Sequence, residues 1–200
     1  MRNRAMDTER IFDSLMGLNA FAKAVNSTLN LGEVEELILE GIARLMNAGK
    51  VLILWLDETK TILTLQRFHG LDQMELQLKN FHNIKPFGHC IAHKGTVITM
   101  DDVLTDDDLQ LQCQQMPLLS DMVFAPLEIK GEACGLLGIS RDTPEFSTFE
   151  LEIFCSLGSQ AAIALENAHS YKKLDDAFLH TTEALAKIIS SRAPHLGGHT

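Results

Sequence analysis

The sequence lacks any long uninterrupted apolar stretch. A helix that crosses a bilayer needs about 18 to 20 apolar residues in a row, and no segment of this 200-residue chain approaches that length. Basic residues are also in short supply, with 17 lysines and arginines against 27 aspartates and glutamates and a net charge of −10. The composition therefore predicts neither a membrane span nor a surface that binds nucleic-acid phosphates.

Cysteines are few and are not paired in the sequence. The four of them, Cys90, Cys113, Cys134 and Cys155, form no Cys-x-x-Cys motif. The first residues have no apolar segment of the kind found in a signal peptide. We therefore expect free thiols, a reducing compartment and a cytoplasmic location. The sequence also lacks a Gly-x-Ser-x-Gly elbow and a P-loop, which argues against serine-hydrolase and P-loop nucleotide chemistry.

What the sequence does contain is a strand, turn, strand and helix pattern over residues 122–168. Val123–Ile129 is rich in β-formers, Lys130 to Glu132 predicts a tight turn, and Cys134–Ile139 predicts the return strand. The two glycines of the return strand indicate a close approach of backbone or ligand. Ser147 and Glu150 have the Ser-x-x-Glu spacing of a capping box, which predicts that a long helix begins there.

The N-terminal segment predicts two helices. The first covers Thr8 to Leu29 and carries an apolar seam at heptad spacing, with a second apolar set off that seam. The seam is Ile11, Leu15, Leu18, Ala22, Val25 and Leu29, and the second set is Phe12, Met16 and Phe21. Asn30, with Glu33 three residues later, predicts the N-cap of a second helix that ends at Gly49.

The middle of the chain predicts a hairpin followed by short elements. The hairpin strands are Lys50–Leu56 and Thr61–Phe68. The elements after it are a helix Leu71–Asn80, an extended piece Ile84–Phe87, a helix Gly88–Lys94, a strand Thr96–Met100 and a polar helix Thr105–Gln115.

The long C-terminal helix carries two apolar stripes. The first mixes small and large residues and suits packing on a sheet: Leu151, Phe154, Gly158, Ala161, Leu165 and Ala168. The second has heptad spacing: Ile153, Leu157, Gln160, Ala164, Asn167, Tyr171, Leu174, Phe178, Thr181, Leu185 and Ile188. No chain remains to cover the second stripe beyond Tyr171, so we expect a parallel homodimer. The alternative is one amphipathic helix buried within the chain.

The order of these elements resembles a GAF domain over residues 7–171. The specific matches are the segment from Gly88 to Gly95, the strand that ends at Asp101, and Ala125 to Leu127 followed by Gly131 and Gly135. The resemblance implies an α/β (α+β) fold with a central antiparallel sheet of five to six strands, flanked by helices, with long N- and C-terminal helices. It also implies a regulatory domain that senses a small molecule.

The same resemblance implies a ligand pocket walled by Phe87–His93, Met100–Val103 and Met122–Phe124. The residues that it places at the ligand are Trp55, Phe68, Phe87, Gly88, His89, Cys90, His93, Met100, Asp101, Met122 and Phe124. The ligand itself stays unknown. No covalently attached cofactor is expected, because Cys90 follows His89 and not the Asp or Pro typical of bilin attachment.

Two catalytic or metal alternatives involve the same residues. His89 and His93 are four residues apart on a predicted helix and so have metal-ligand spacing, but a metal centre would need further ligands. We therefore expect a pocket-lining helix there and no metal. Cys90 and Cys113 leave open a GAF-type free methionine sulfoxide reductase. That family's Phe-Pro-Gly-His-Ile stretch has no counterpart here, so we do not expect an enzyme.

The last twenty residues resemble the start of an HD-GYP phosphodiesterase domain. Arg192, Pro194, Gly198 and His199 match that family, whereas Ala193 replaces its aspartate. The resemblance implies a relay to a cyclic-dinucleotide (cyclic di-GMP) phosphodiesterase domain absent from this chain, in which His199 would be a metal ligand. The expected divisions are 1–30, a dimerising helix; 31–171, the GAF-like core; 172–192, a signalling helix; and 193–200, the start of the HD-GYP-like domain.

Overall fold

A computed structural model describes residues 2–57, 63–72, 122–142 and 144–192. Over these residues an antiparallel sheet is flanked by helices, which confirms the predicted α/β fold class. The elements are α1 (Arg2–Val25), α2 (Leu31–Leu45), β1 (Lys50–Leu56), β2 (Leu63–His69), β3 (Val123–Ile129), β4 (Glu132–Ser140) and α3 (Thr148–Arg192).

The described strands form one sheet in the order β2-β1-β4-β3, and all of its pairs are antiparallel. β1 therefore lies inside the sheet, between β2 and β4. β1 and β3 begin and end at the residues predicted from the sequence. β2 ends at His69, one residue after the predicted Phe68, and the predicted start at Thr61 lies outside the described residues. Four strands lie in the described part of the chain; the further expected strand, Thr96–Met100, lies outside the described residues.

Lys130 and Gly131 form the predicted tight turn between β3 and β4. Both residues have positive φ, 53° and 82°, and the pairing of Ile129 with Glu132 closes the turn. Positive φ at both central residues is the signature of a type I′ turn, whose twist matches that of the strands it joins. Gly131 adopts this conformation without steric cost.

Local hydrogen bonds determine both ends of α2. The Asn30 side chain accepts a hydrogen bond of 3.2 Å from the Glu33 amide, which confirms the predicted N-cap. At the other end the helix stops at Leu45, and the residue in the left-handed conformation is Asn47, with φ 47°. The prediction that Gly49 ends the helix is wrong, because asparagine also tolerates this conformation.

α1 ends at Val25, four residues before the predicted Leu29. Asn26 Nδ2 and Ser27 Oγ donate hydrogen bonds of 2.8 and 2.7 Å to carbonyls of the last turn. The backbone amides of Asn26 and Ser27 donate to the same carbonyls, at 3.3 and 3.1 Å, and the Ser27 amide reaches back three residues instead of four. The last turn therefore tightens, and the polar side chains add hydrogen bonds where α1 ends. The apolar periodicity of the sequence continues past this point and gives no sign of the stop.

The described helices share one apolar core on one face of the sheet. α1 and α3 lie side by side, as predicted, and α2 contacts both helices as well as β1 and β2. The buried residues of this core include Phe21, Val25, Val34, Ile38, Ile42, Val51, Ile53, Leu127, Ile139, Phe154, Leu157 and Leu165. None of the described helices has a stretch long and apolar enough to cross a membrane.

The start of α3 has the predicted capping box. The Ser147 amide donates to the Glu150 carboxylate at 2.8 Å, and the Glu150 amide donates to Ser147 Oγ at 3.3 Å. The first stripe then packs on β3, with Phe154, Ala161 and Ala168 fully buried. This confirms the prediction that the first stripe faces the sheet.

The second stripe of α3 divides at Tyr171. Before that point Leu157 and Ala164 are buried within the chain itself. Every residue from 170 to 190 is exposed, including Leu174 and Phe178 at 69 % each. The expectation of a single seam that faces a partner is therefore wrong for the first half of the helix, because α1 and α2 already cover it.

Candidate functional site

The sheet has two faces with different neighbours. Along β1, Val51, Ile53 and Trp55 point to the helices and belong to or pack on their core. Successive side chains of a strand point to opposite faces, so Leu52 and Leu54 lie on the other side, which we call the pocket face. Both leucines are at most 1 % exposed. The pocket face is thus buried along β1.

A row of four residues crosses the pocket face. Phe68 pairs with Leu52, Leu52 with Gly138, and Gly138 with Phe124. Residues that face each other directly in an antiparallel pair lie on the same side of the sheet. The structure therefore brings two predicted site residues, Phe68 and Phe124, to one face and one level, with one residue from each described strand.

Gly138 makes this row possible. A Cβ atom built on it would lie 2.7 Å from Phe124 Cε1 and 2.9 Å from Leu52 Cδ1, closer than such atoms approach in practice. The side chains of Leu52 and Phe124 occupy the space that a side chain at position 138 would need. The predicted close approach of backbone or ligand is confirmed at Gly135, where a Cβ would collide with the Leu54 carbonyl. At Gly138 the approaching atoms belong to side chains, which the prediction did not include.

Met122 extends the pocket face at the start of β3. It lies two residues before Phe124, so strand alternation places it on the same side, and it is only 2 % exposed. Leu54 and Leu136, which pair with each other, complete the neighbourhood. The described centre of the pocket face is apolar, aromatic and thioether in character, and it suits an apolar or planar portion of a ligand.

Trp55 does not join this group. It lies on the helix side of the sheet, where its indole stacks on the imidazole of His169 with 4.7 Å between ring centroids. Phe68, Met122 and Phe124 are on the opposite side. The sequence placed Trp55 at the ligand by resemblance alone, and the alternation along β1 assigns it to the helix side.

Seven predicted ligand residues fall outside the described part of the chain. They are Phe87, Gly88, His89, Cys90, His93, Met100 and Asp101. The same holds for Cys113 and His199. Over the described residues no group of three or more His, Cys, Asp or Glu side chains is arranged to hold a metal ion, and the described cysteines, Cys134 and Cys155, are in the thiol form.

Sequence reasoning missed a charged cluster on the helix side. Glu35 of α2 is 7 % exposed and accepts a 2.8 Å hydrogen bond from Arg67 Nε of β2. The hydrogen bond from Arg67 to Glu35 raises the pKa of the guanidinium above its ordinary value. One signal was available, since Glu35 precedes Ile38 and Ile42 by three and seven residues, the spacing of a shared helix face.

His169 of α3 lies beside the same cluster. Burial lowers the pKa of its imidazole, and the carboxylate of Glu35 opposes this shift. A half-buried imidazole, an indole and a part-buried ion pair therefore lie together where α3 leaves the domain. A separate open cleft of about 860 Å³ lies next to this place, between residues 26–32 and the α3 residues Tyr171, Lys172 and Asp175.

One comparison with known proteins identifies a family. The family model described as GAF domain matches residues 28–166. A search of the curated proteins found no match.

Several solved structures share the fold. The GAF domain of a phosphoenolpyruvate-protein phosphotransferase from Coxiella burnetii is 16 % identical, with a TM-score of 0.64 over 81 % of this chain and 98 % of its own. Residues 122 to 287 of a methyl-accepting chemotaxis protein are 20 % identical, with a TM-score of 0.62 over 76 % and 98 %. A GAF domain/HD domain protein from Geobacter sulfurreducens is 19 % identical, with a TM-score of 0.58 over 70 % and 95 %.

Proposed function

The chain belongs to the GAF domain family, whose fold generally serves ligand sensing and signalling, and on that premise we propose that it is a small-molecule sensor that relays ligand state through α3. The observation that carries the proposal is that the two faces of one sheet have different neighbours. One face presents Phe68, Met122 and Phe124, and the other holds the helix that leaves the domain. β1 lies inside the sheet and contributes side chains to both faces.

The proposed ligand binds with an apolar or planar portion against Phe124 and Met122. Polar groups that select it come from His89, His93 and Asp101, as the family resemblance implies. Burying apolar surface contributes about 25 cal/mol per Å², so the apolar side supplies affinity and the polar side supplies specificity. No covalent attachment and no metal enter this proposal.

The proposed output is a helical dimer. The exposed stripe of α3 is Tyr171, Leu174, Phe178, Leu185 and Ile188, at heptad spacing, and α1 adds Phe12, Leu15 and Met16, all more than half exposed. Heptad apolar stripes of this kind are stabilised by packing on a partner helix. We propose a second copy of the chain as that partner, with the interface on α3 starting at Tyr171.

The proposed receiver of the signal is a downstream cyclic-dinucleotide phosphodiesterase domain. Support comes from the HD-GYP-like residues Arg192, Pro194, Gly198 and His199 and from the GAF domain/HD domain protein among the similar structures. We propose that the chain itself is regulatory and not an enzyme. The reductase alternative depends on Cys90 and Cys113, and no described observation favours it.

Native mass spectrometry of the purified protein tests the sensor. We expect a small molecule that stays bound in the native spectrum and is released on denaturation. Phe124→Leu, on the pocket face, should lower its occupancy. Phe21→Leu makes the same change at a buried position on the helix side and should leave occupancy unaltered. Equal loss in both variants would assign the effect to stability and contradict a ligand on the pocket face.

A domain that only dimerises is the second candidate function. The observation that favours it is the closed state of the pocket face, since Phe124 and Met122 are at most 2 % exposed. This candidate predicts a native spectrum with the dimer mass and no small molecule. The sensor predicts both together, so one experiment separates the two functions.

A further inference from the structure

Trp55 and His169 meet at the point where α3 leaves the domain. Their ring centroids are 4.7 Å apart and the ring planes are inclined by 30°. Trp55 is the next-to-last residue of β1. His169 is half-buried, whereas every residue from 170 to 190 is exposed. The stack thus connects the end of an inner strand to the last supported turn of the helix.

An ion pair lies within electrostatic reach of this contact. Arg67 of β2 donates to Glu35 of α2 at 2.8 Å, and the Glu35 side chain is only 9 % exposed. The Arg67 side chain is 49 % exposed, but moving it away would leave a buried carboxylate without this partner, which is costly. α2 is therefore fastened to the strand next to β1. The His169 imidazole lies within electrostatic reach of Glu35, so strand, ion pair and helix meet in one place.

We infer that the Trp55–His169 contact is the joint through which the sheet sets the course of α3 beyond the domain. The inference rests on the proposed sensor function and names the residues of its relay. Leu54 faces the pocket, and the next residue, Trp55, faces α3. Whatever crowds the pocket face and displaces β1 therefore moves the indole against His169, because well-packed interiors transmit strain.

A long stretch of α3 follows the Trp55–His169 contact. α3 continues from His169 to Arg192, a length of about 35 Å at 1.5 Å per residue. A small rotation at His169 therefore becomes a large displacement at the far end of the helix. In switching proteins, a small shift at a binding site is amplified into a larger movement because packed interfaces have discrete alternative arrangements.

Gly138→Ala supplies a defined push on the pocket face, because its new Cβ meets Phe124 at 2.7 Å and Leu52 at 2.9 Å. Hydrogen-exchange mass spectrometry then follows peptides from residues 170–185, with an α2 peptide as the internal reference for overall stability. We expect Gly138→Ala to change the exchange rate of the α3 peptides by about threefold or more relative to the reference. In the His169→Ala variant, adding Gly138→Ala should change the exchange rate of the α3 peptides by less than half as much.

The controls separate the joint from the relay as a whole. His180→Ala removes a histidine from an exposed position of the same helix and should leave the coupling intact. An equal response with and without His169 would overturn the joint and leave the sensor standing. No response of α3 to Gly138→Ala in the otherwise unchanged chain would overturn both. If Gly138→Ala or His169→Ala does not fold, Phe124→Leu and His169→Gln replace them in the same comparison.

Discussion

Arg141 and Glu150 form a two-point ion pair that fastens the end of β4 to the first turn of α3. Nη1 lies 2.8 Å from Oε1, and Nη2 lies 3.1 Å from Oε2. The Arg141 side chain is 8 % exposed, covers the Phe146 ring at 4.1 Å and donates to the Met46 carbonyl at 3.2 Å. Since Glu150 also belongs to the capping box, one carboxylate serves both the helix cap and the ion pair.

Replacing Glu150 by glutamine preserves the shape of the side chain and removes its charge. We expect the free energy of unfolding to fall by about 1.5–3 kcal/mol, the range for hydrogen bonds to charged groups. Urea denaturation measures the loss. Glu152→Gln, exposed in the same turn of α3, is the matched control and should cost less than about 0.5 kcal/mol. Similar losses in both variants would contradict a special role for Glu150.

The same pair makes stability depend on acid pH. The hydrogen bond from Arg141 is the main cause that lowers the pKa of Glu150 from 4.5 to about 2. Because the pKa is lower in the folded chain, the carboxylate stabilises the fold above about pH 4.5, and this contribution is lost as the pH falls towards about 2. The stability difference between the wild type and Glu150→Gln should therefore shrink between about pH 5 and pH 3. A difference that stays constant would argue against the pair.

Phe154 and Phe149 allow a matched test of the core on the helix side. Phe154 is fully buried and Phe149 is 41 % exposed, although both lie in the first turns of α3. Phe154→Ala should lower the free energy of unfolding by about 3–5 kcal/mol through lost burial and a residual cavity. Phe149→Ala should cost less than about 1 kcal/mol. Chemical denaturation measures the loss in the free energy of unfolding for both variants. Equal losses would refute the packing of α3 described above.

The proposed dimer depends on the exposed stripe of α3. Leu174 and Phe178 are each 69 % exposed in the single chain, and burying such side chains contributes about 1.5–3 kcal/mol each. Leu174→Glu with Phe178→Glu should convert a wild-type dimer to monomer in analytical ultracentrifugation. Leu179→Glu makes the same kind of change next to the stripe and should retain the dimer. A monomeric wild type at tens of micromolar, or a dimeric double variant, would exclude this interface.

Trp55 is the only tryptophan of the chain, so its fluorescence reports the contact with His169. Burial is the main cause that lowers the pKa of His169, and Lys172 and Lys173 lower it further, against the opposing effect of Glu35 and Glu166. We expect the emission to change on acidification with a midpoint below about 6.5, the ordinary value for histidine. His169→Gln should abolish this change.

The lowered pKa of His169 also determines how acidification changes the stability of the fold. The imidazole takes up a proton less readily in the folded chain than in the unfolded chain, so acidification below about pH 6.5 favours the unfolded state. The wild type should therefore lose stability relative to His169→Gln between about pH 7 and pH 5. His180→Gln, at an exposed position, serves as the control. A relative gain in stability on acidification would contradict the assigned environment.

Local features were largely predictable. The bounds of β1 and β3, the turn at Lys130 and Gly131, and the caps at Asn30 and Ser147 all depend on residues close in sequence. The end of α1 was predicted four residues too late. There the apolar periodicity continues, but the side chains of Asn26 and Ser27 add hydrogen bonds to carbonyls of the last turn, and the Ser27 amide reaches back three residues instead of four.

The candidate site was predictable only in part. Phe68, Met122 and Phe124 share a face, as expected, because strand pairing in register places them there. Trp55, which the resemblance placed at the ligand, faces the helices instead. The sequence indicated a close approach at the glycines of β4 and placed Glu35 on the helix face of Ile38 and Ile42. It did not identify the residues that meet them, because Leu52, Phe124 and Arg67 come from other strands.

The sequence by itself determined the elements: which segments extend, which coil, where caps and turns separate them, and which residues of each element share a side. Those properties depend on the periods of helix and strand and on hydrogen bonds between near neighbours. Only the tertiary structure decided which side of each element is buried and which other element it packs against. Leu157 is buried and Leu174 exposed on one continuous helix, and Leu54 and Trp55 face opposite layers. The physical reason is that burial depends on the packing of α1, α2 and the sheet, which distant parts of the chain supply together.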